Sequence, residues 1–532
     1  MAVLLRRSDQ IPPSDAYDSW LTVTGTEADL PRQSRLPDLS RRLQHSFDRT
    51  RDNWLSIAKR VGEYPDGSLS HTAACAAYIN DFGLMLGWTE LIRDLAAAAD
   101  TMLVVCDDPW LYRHLETLTG IDAGERPLLL PVVFKMALRG VAARTRVALR
   151  LIYAAITLRP GRAVCRRAQS ALIVYGHPRS DANGNDAYFG SLLRELPSLG
   201  RALHTDCMPA RARALCRDGR TFSLHGWGNP AFAVGLIFLR WRLPGESESH
   251  ENQWLLKRAT THENSGGSLA MTKWQTHCQD RWLAACRPAA ISWPWENHPW
   301  ERHLCRTASR MGILRAGYQH AVVGRHQFNF SPASNPDDGY SLPDIIMCNG
   351  PAYRKQLADL GFDMEKLRLG GAFRVSKTTS AYHDPAGPVY IALSSIEAVT
   401  RQMLEAVSAL TCSRVTFVAK DHPLYPMTIP ESPQLRRTDK TIPESGGLSA
   451  VIYSTGTTGL EGLLAGVPTI RFLPADRIAP DILPDDLAVP ERTCEELQEA
   501  LLDLKQPSPL NWADVMAPID MASWRAVLAP ES

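Results

Sequence analysis

Residues 449–472 decide the fold: a β-branched run from Ser449 to Tyr453, the loop Ser454-Thr455-Gly456-Thr457-Thr458-Gly459, then Glu461, and Ala465-Gly466-Val467-Pro468 leading into a second such run that ends at Phe472. The order is strand, small-hydroxyl loop, short helix, strand. Such a loop leaves backbone N–H groups and hydroxyls free at a helix N-terminus, where the dipole favours a phosphate. One such unit earlier stands a second strand-end motif, Lys420-Asp421-His422-Pro423.

Working outward, the same alternation recurs on both sides. Strands are predicted at 344–348, 366–369 (ending at Gly370-Gly371), 388–393 and 415–419, with helices at 352–360, 396–410 and 494–504. Ahead of them come strands at 101–106, 171–175, 288–293 and 314–320 and helices at 110–118, 187–196 and 300–311. Alternation of this kind implies parallel sheets with helices on their faces. Residues 328–342, rich in Asn, Pro, Ser, Asp and Gly, read as the interdomain linker. The expected fold is therefore α/β of the GT-B type, two doubly wound Rossmann-like domains facing a cleft. The first spans 1–335, the second 336–510, and a tail at 511–532 carries Trp512 and Trp524 and folds back on the first domain. Ligands are expected beyond the carboxyl ends of the strands.

A chain of 532 residues, 45% hydrophobic and 22% charged, is long enough for two or three cores. Its net charge of +1 gives no overall bias toward nucleic acid, and no nucleic-acid motif is present. Eleven scattered cysteines without a CxxC pair argue against a disulfide framework and a thiolate zinc site, and fit a reducing cytoplasm. No signal peptide and no apolar run of about 18 residues is present. The charge is uneven, however. Between 126 and 180 there is no acidic residue, while Lys135, Arg139, Arg144, Arg146, Arg150, Arg159, Arg162, Arg166 and Arg167 interrupt apolar residues at helical spacing. Residues 126–167 read as a basic amphipathic helical insertion docking the protein peripherally on the inner face of an inner membrane; a solvated helix face is the other reading.

Of three His-Pro dipeptides, only His422-Pro423 has Lys420 beside it and follows a strand of the second domain, where imidazole and ammonium would hold a departing phosphate. Ser394-Ser395 opens another helix, as phosphate ligand or plain cap. Glu461 either accepts ribose hydroxyls or complements the helix dipole. Glu296, just after a strand of the first domain and before the helix whose Pro299 suits its first turn, is the candidate catalytic base, its alternative being a helix-entry carboxylate. Gln319-His320, at the end of the last strand of the first domain, would face the cleft and bind a donor carboxylate or phosphate, unless the histidine is a satisfied core residue. Asn183 and Asp186 are candidate acceptor contacts, and Trp293, Trp295 and Trp300 would stack on sugar or pack. No Asp-x-Asp with a matching ligand set and no His/Cys cluster calls for a metal, so no cofactor is expected.

This pattern resembles bacterial glycosyltransferases that use CMP-activated acidic sugars, the sialyltransferases, polysialyltransferases and capsule Kdo transferases. Their His-Pro and Ser/Thr motifs are matched by His422-Pro423 and Ser454-Thr455. The strings 295–302 and 317–320, and 344–346 through Gly371-Ala372-Phe373-Arg374, are similar to a surface-carbohydrate biosynthesis family, over roughly 288–475. The resemblance implies an inverting, metal-independent transfer of Kdo or a nonulosonic acid from a CMP donor to a lipid-linked or oligosaccharide acceptor of lipopolysaccharide or capsule. It gives the CMP phosphate to His422, Ser454 and Thr455 and places Arg374 at substrate. The acidic Asp/Glu-Asp/Glu-Gly motif that supplies the base in several sialyltransferases is matched only by Asp337-Asp338-Gly339 in the linker, so the proton acceptor is taken from the residues' own reading as Glu296, with Lys420 joining the phosphate site. Two alternatives stand beside it: a UDP-sugar transferase or UDP-sugar 2-epimerase, and an inactive binding or scaffold protein at the membrane surface.

Overall fold

The computed structural model describes residues 3–529 except 24, 78, 79, 99, 166, 167, 244–249, 338, 376, 378, 411–414, 423–425, 430 and 509. Among the described residues the strands form three parallel sheets and one two-residue pair.

The first sheet has the order β2-β3-β1-β4, from β1 (Val3–Arg6), β2 (Ser19–Thr22), β3 (Met102–Val105) and β4 (Ile121–Ala123). With the helices Leu39–Arg49, Arg51–Glu63 and Phe82–Ala96 it closes a separate core around Phe47, Trp54 and Trp88. The expected single domain over 1–335 is thus built on two sheets. Of its four strands only β3 falls among the predicted ones, at 101–106.

The second sheet has the order β11-β10-β9-β8-β5-β6-β7. It comprises β5 (Ser170–Val174), β6 (Leu199–Leu203), β7 (Thr221–Ser223), β8 (Ala290–Pro294), β9 (Leu314–Gln319), β10 (Ile345–Cys348) and β11 (Leu367–Leu369). The chain builds outward from β5 to β7, returns to β8 on the other side of β5, and proceeds to β11, so the topological switch lies between β5 and β8. β10 and β11 carry this sheet past the boundary expected at 335/336. The polar stretch read as a linker is instead a buried knot: Ser334, Asn335 and Ser341 are almost fully buried and exchange hydrogen bonds with one another and with Asn297 and Arg302. From the tail, Trp524 donates to the Gly370 carbonyl at 2.9 Å and packs 5.6 Å from Tyr318.

The third sheet has the order β15-β14-β13-β17-β18-β19, with β12 (Tyr382–His383) pairing separately with β16 (Gly447–Leu448). Its strands are β13 (Val389–Ala392), β14 (Phe417–Lys420), β15 (Leu435–Arg437), β17 (Ala450–Tyr453), β18 (Thr469–Phe472) and β19 (Glu491–Arg492). Here the switch lies between β13 and β17. The second and third sheets are the two doubly wound units of the expected GT-B fold.

The basic segment forms one helix, Leu129–Leu158, of 30 residues. It joins the first sheet to the second and is inserted in neither. Its buried stripe includes Gly140, Ala148, Leu151, Ala155 and Leu158, and a Cβ at Gly140 would stand 1.9 Å from the Asn264 carbonyl oxygen, so only glycine fits there. Several expected surface cations are structural ties. Arg144 donates to the carbonyls of Ile237 and Asn264, Arg150 to that of Asp206, and Arg162 to that of Gly226. Arg166 and Arg167 lie outside the described residues. Lys135, Arg139, Arg146 and Arg159 are exposed, as are Leu130, Phe134, Leu138, Leu149 and Ile156. No described helix is long and apolar enough to cross a membrane. Cys286 is disulfide-bonded, a link that the scattered cysteine spacing did not signal.

Candidate functional site

Glu296 follows β8 by two residues and sits at the switch of the second sheet. Its loop is held from several sides. Glu301 Oε2 accepts the N–H groups of Glu296 at 2.9 Å and Asn297 at 3.0 Å, together with the Trp293 indole N–H at 3.0 Å. Asn329 donates to the Glu296 carbonyl at 2.8 Å, and the buried Arg302 donates to the Asn297 carbonyl at 3.0 Å. Asn297 itself has φ 59°, a left-handed turn that asparagine tolerates. Glu301, in the first turn of the helix Pro299–Arg310, is therefore the anchor of the loop. Burial pushes its carboxyl up to about 7.

The Glu296 carboxylate stands between two imidazoles. Oε2 is 2.7 Å from His298 Nε2 and Oε1 is 3.6 Å from His320 Nε2. Burial opposes ionisation of Glu296, but the hydrogen bond and charge of His298, with His320 and Arg374 behind it, hold the carboxyl down to about 2. Burial likewise opposes protonation of His298, and the bond to Glu296 outweighs it, so that imidazole is raised. His320 is pushed down to about 4 by burial despite Glu296. Nδ1 of both His298 and His320 is buried with no hydrogen-bond partner among the described residues. One carboxylate thus stands against two imidazoles, one of them hydrogen-bonded to it.

Tyr188 meets the His320 ring edge-on at 5.0 Å, and the Arg374 guanidinium carbon stands 5.4 Å from the Tyr188 centroid. Arg374 acts on Glu296 and also on Glu461 of the third-sheet domain. Burial raises the Glu461 carboxyl, while Arg179, Arg374 and Lys420 pull it back. Arg374 is thus the cation shared by both carboxylates, Glu296 and Glu461.

On the third sheet, Ala392 is in register with Lys420 on one side and Tyr453 on the other. His422, Ser394 and Thr455 each lie two residues beyond that row, at the carboxyl ends of adjacent strands. With roughly 4.8 Å between strands, the His422 and Ser454-Thr455 ends are about 10 Å apart across the β13/β17 switch. His422 is half-buried and its imidazole is lowered by burial; Pro423 lies outside the described residues. Ser454 is buried, and Thr455, Gly456, Thr457 and Thr458 are partly exposed above it. The helix they open, Thr458–Leu464, has only seven residues and no side-chain cap. Lys420 reaches the Asp439 carbonyl. Ser394 caps its own turn, accepting from the Ile396 N–H at 3.1 Å, and Ser395 is exposed.

Other expected contacts prove structural. Gln319 is fully buried, donates to the Ala321 carbonyl and accepts the Asn349 N–H at 2.9 Å, so its amide ties β9 to the loop after β10. Asp186 is buried, accepts the N–H groups of Tyr188 and Phe189 and lies 3.8 Å from Arg201. That capture diverts the chain into a turn, and the helix expected over 187–196 shrinks to Leu192–Glu195. Asn183 is exposed in the same loop. Trp293 and Trp295 pack in the core. Asp337 is engaged by Arg306 and Ser341, and Asp338 lies outside the described residues. Arg179, Tyr188 and His298 were not anticipated. Two of the three border the His-Pro dipeptides at 177–178 and 298–299, whose shared signal is a position just past β5 or β8. Among the described residues no group of three or more His, Cys, Asp or Glu is placed to hold a metal ion.

No protein-family model and no curated protein matches the chain. Solved structures with a related outline include the glycotransferase of kitacinnamycin (14% identity, TM-score 0.37, covering 68% of this chain and 94% of that one). Others are a putative UDP-N-acetylglucosamine 2-epimerase from Listeria monocytogenes (12%, 0.39, 69% and 98%) and the calicheamicin glycosyltransferase CalG4 (12%, 0.38, 64% and 91%). At these scores the likeness carries no argument about chemistry, and the reading of the site rests on its own residues.

Proposed function

We propose that the protein is an inverting, metal-independent glycosyltransferase that moves an acidic sugar, Kdo or a nonulosonic acid, from a CMP donor to a bacterial surface glycan. One arrangement carries this reading: the Glu296 carboxylate lies 2.7 Å from His298 and 3.6 Å from His320, Arg374 stands over Tyr188 beside them, and its charge favours ionisation of both Glu296 and Glu461. A proton acceptor thereby faces a cationic, hydroxyl-lined anion site. The Glu296 cluster takes the proton of the acceptor hydroxyl. Lys420, His422, Arg179, Arg374 and the Ser454 to Thr458 loop stabilise the charge that develops on the departing CMP phosphate, in place of a metal. The acceptor is lipid-linked, and the enzyme meets it peripherally at the cytoplasmic face of the inner membrane, where the exposed side of helix Leu129–Leu158 offers apolar residues flanked by Lys135, Arg139 and Arg146.

The test is donor hydrolysis with CMP-Kdo and CMP-sialic acid, wild type against His422→Ala, run beside a thermal-shift series with CMP and UDP. Turnover lost in the variant and stabilisation by CMP support the reading. Unchanged turnover in His422→Ala rejects the phosphate assignment, stabilisation by UDP but not CMP moves the donor to the UDP-sugar class, and no nucleotide binding at all leaves a scaffold at the membrane surface.

A further inference from the structure

A cavity of about 480 Å³ opens beside the β5/β8 switch, with His298, the partner of Glu296, in its wall. Its size falls in the roughly 300–1,000 Å³ range of small-ligand sites. Tyr175 follows β5, His204 follows β6, and His298 and Trp300 follow β8, while His71 and Gln275 close it from the first-sheet domain and from helix Ser268–Cys286. The rings make a corner: His204 lies 4.9 Å from both Trp300 and Tyr175, and His71 meets His298 edge-on at 5.7 Å. Four polar atoms of these walls, His71 Nδ1, His204 Nε2, Gln275 Nε2 and His298 Nδ1, are buried with no hydrogen-bond partner among the described residues. Buried polar atoms are normally paired, so a concentration of unpaired ones around one cavity marks a site that a polar ligand completes.

The chemistry of the walls selects the ligand. Aromatic faces suit the C–H face of a sugar ring, and amide and imidazole nitrogens suit its hydroxyls. The raised His298 is already paired with Glu296, and the other charges argue against an anion. Burial pushes His71 down to about 3, which keeps it neutral, and the carboxylate lining the cavity, Asp206, is exposed and drawn down by His204 and Arg150, so it stays ionised. The cavity also reaches the reacting end of the site, because the His298 ring that forms its wall is the one bonded to Glu296.

We propose that this cavity seats an uncharged pyranose of the acceptor glycan, with the hydroxyl to be glycosylated directed at the His298–Glu296 pair. This deepens the glycosyltransferase reading and rests on it for the word acceptor. The binding itself is tested separately. Saturation-transfer NMR on the full chain, with methyl glycosides of glucose, galactose, mannose and N-acetylglucosamine against glucuronate and N-acetylneuraminate, should give transfer to at least one neutral glycoside and less to the acids. Ser268 is exposed at the cavity rim, so Ser268→Trp blocks the cavity without disturbing the core. It should cut the transfer several-fold, as should Trp300→Ala, with CMP stabilisation retained in both. Absence of transfer to every neutral glycoside, preference for the acids, or full transfer in Ser268→Trp overturns the cavity assignment. Nucleotide binding without sugar binding sinks this inference alone, and sugar binding without nucleotide binding sinks the transferase reading while leaving the cavity.

Discussion

Glu296 and His298 share a 2.7 Å hydrogen bond in which the acid is lowered and the base is raised. The sign of each shift sets a pH window. A raised imidazole contributes stability in full below its unfolded value of 6.5 and loses it as pH rises through the folded value. A lowered carboxyl contributes in full above its unfolded value of 4.5 and loses it as pH falls toward about 2. Both contributions are complete only between 4.5 and 6.5. The melting-temperature gap between wild type and Glu296→Gln is therefore expected to peak in that interval and narrow on both sides. Calorimetric scans across pH check this, and a gap independent of pH would contradict it.

Arg374 is exposed, yet it bears on both Glu296 and Glu461. Its substitution should therefore spare the fold and damage the chemistry. Arg374→Ala is expected to lose about 10²-fold in kcat, the scale of a single donor to developing charge, with a melting temperature near that of wild type. Arg374→Lys should recover little, since an ammonium neither stacks on Tyr188 nor forks onto a phosphate as a guanidinium does. Steady-state kinetics with a common melting control distinguish this from a general loss of stability.

What the sequence made legible was the repeating unit. Residues 449–472 fold as read, and the ends of β13, β14 and β17 bring Ser394, Lys420-His422 and Ser454-Thr455 to one edge, because strand-helix alternation forces parallel neighbours. The domain boundary was not legible, because Asn, Ser, Pro and Gly signal a loop by composition while burial is a tertiary property. Asn329, Ser334 and Asn335 are buried precisely because Asn297 and Arg302 need partners beneath the Glu296 loop. For the same reason Asp186 and Gln319 looked free: a polar residue at a strand end gives no sign of whether its bonds run to backbone or to ligand.

Helix Leu129–Leu158 presents Leu130, Phe134, Leu138 and Ile156 to solvent, with Lys135, Arg139 and Arg146 alongside. Each cation near an anionic surface is worth about 1 kcal/mol, so the triple variant Lys135→Glu, Arg139→Glu, Arg146→Glu should weaken partitioning to phosphatidylglycerol vesicles by about 10²-fold or more. Phe134→Ser should weaken binding to the same vesicles with less dependence on salt, because it removes apolar burial and leaves the charges. Co-sedimentation at two ionic strengths reads both effects. Equal binding to neutral phosphatidylcholine vesicles would argue against the electrostatic part.

Gly459 lies under the Ser/Thr loop, where a Cβ would come within 2.3 Å of the Tyr453 ring. Tyr453 ends β17 and is buried, so neither the ring nor the strand has room to yield. The strain of Gly459→Ala must therefore move helix Thr458–Leu464, which carries Glu461 and frames the loop. Overpacking of this kind costs about 1–3 kcal/mol. The expected result is a lower melting temperature together with a weaker stabilisation by nucleotide, since the displaced helix spoils the register of the hydroxyls with the His422 end. A variant that is destabilised but still gains as much from nucleotide as wild type would show that the loop does not hold it.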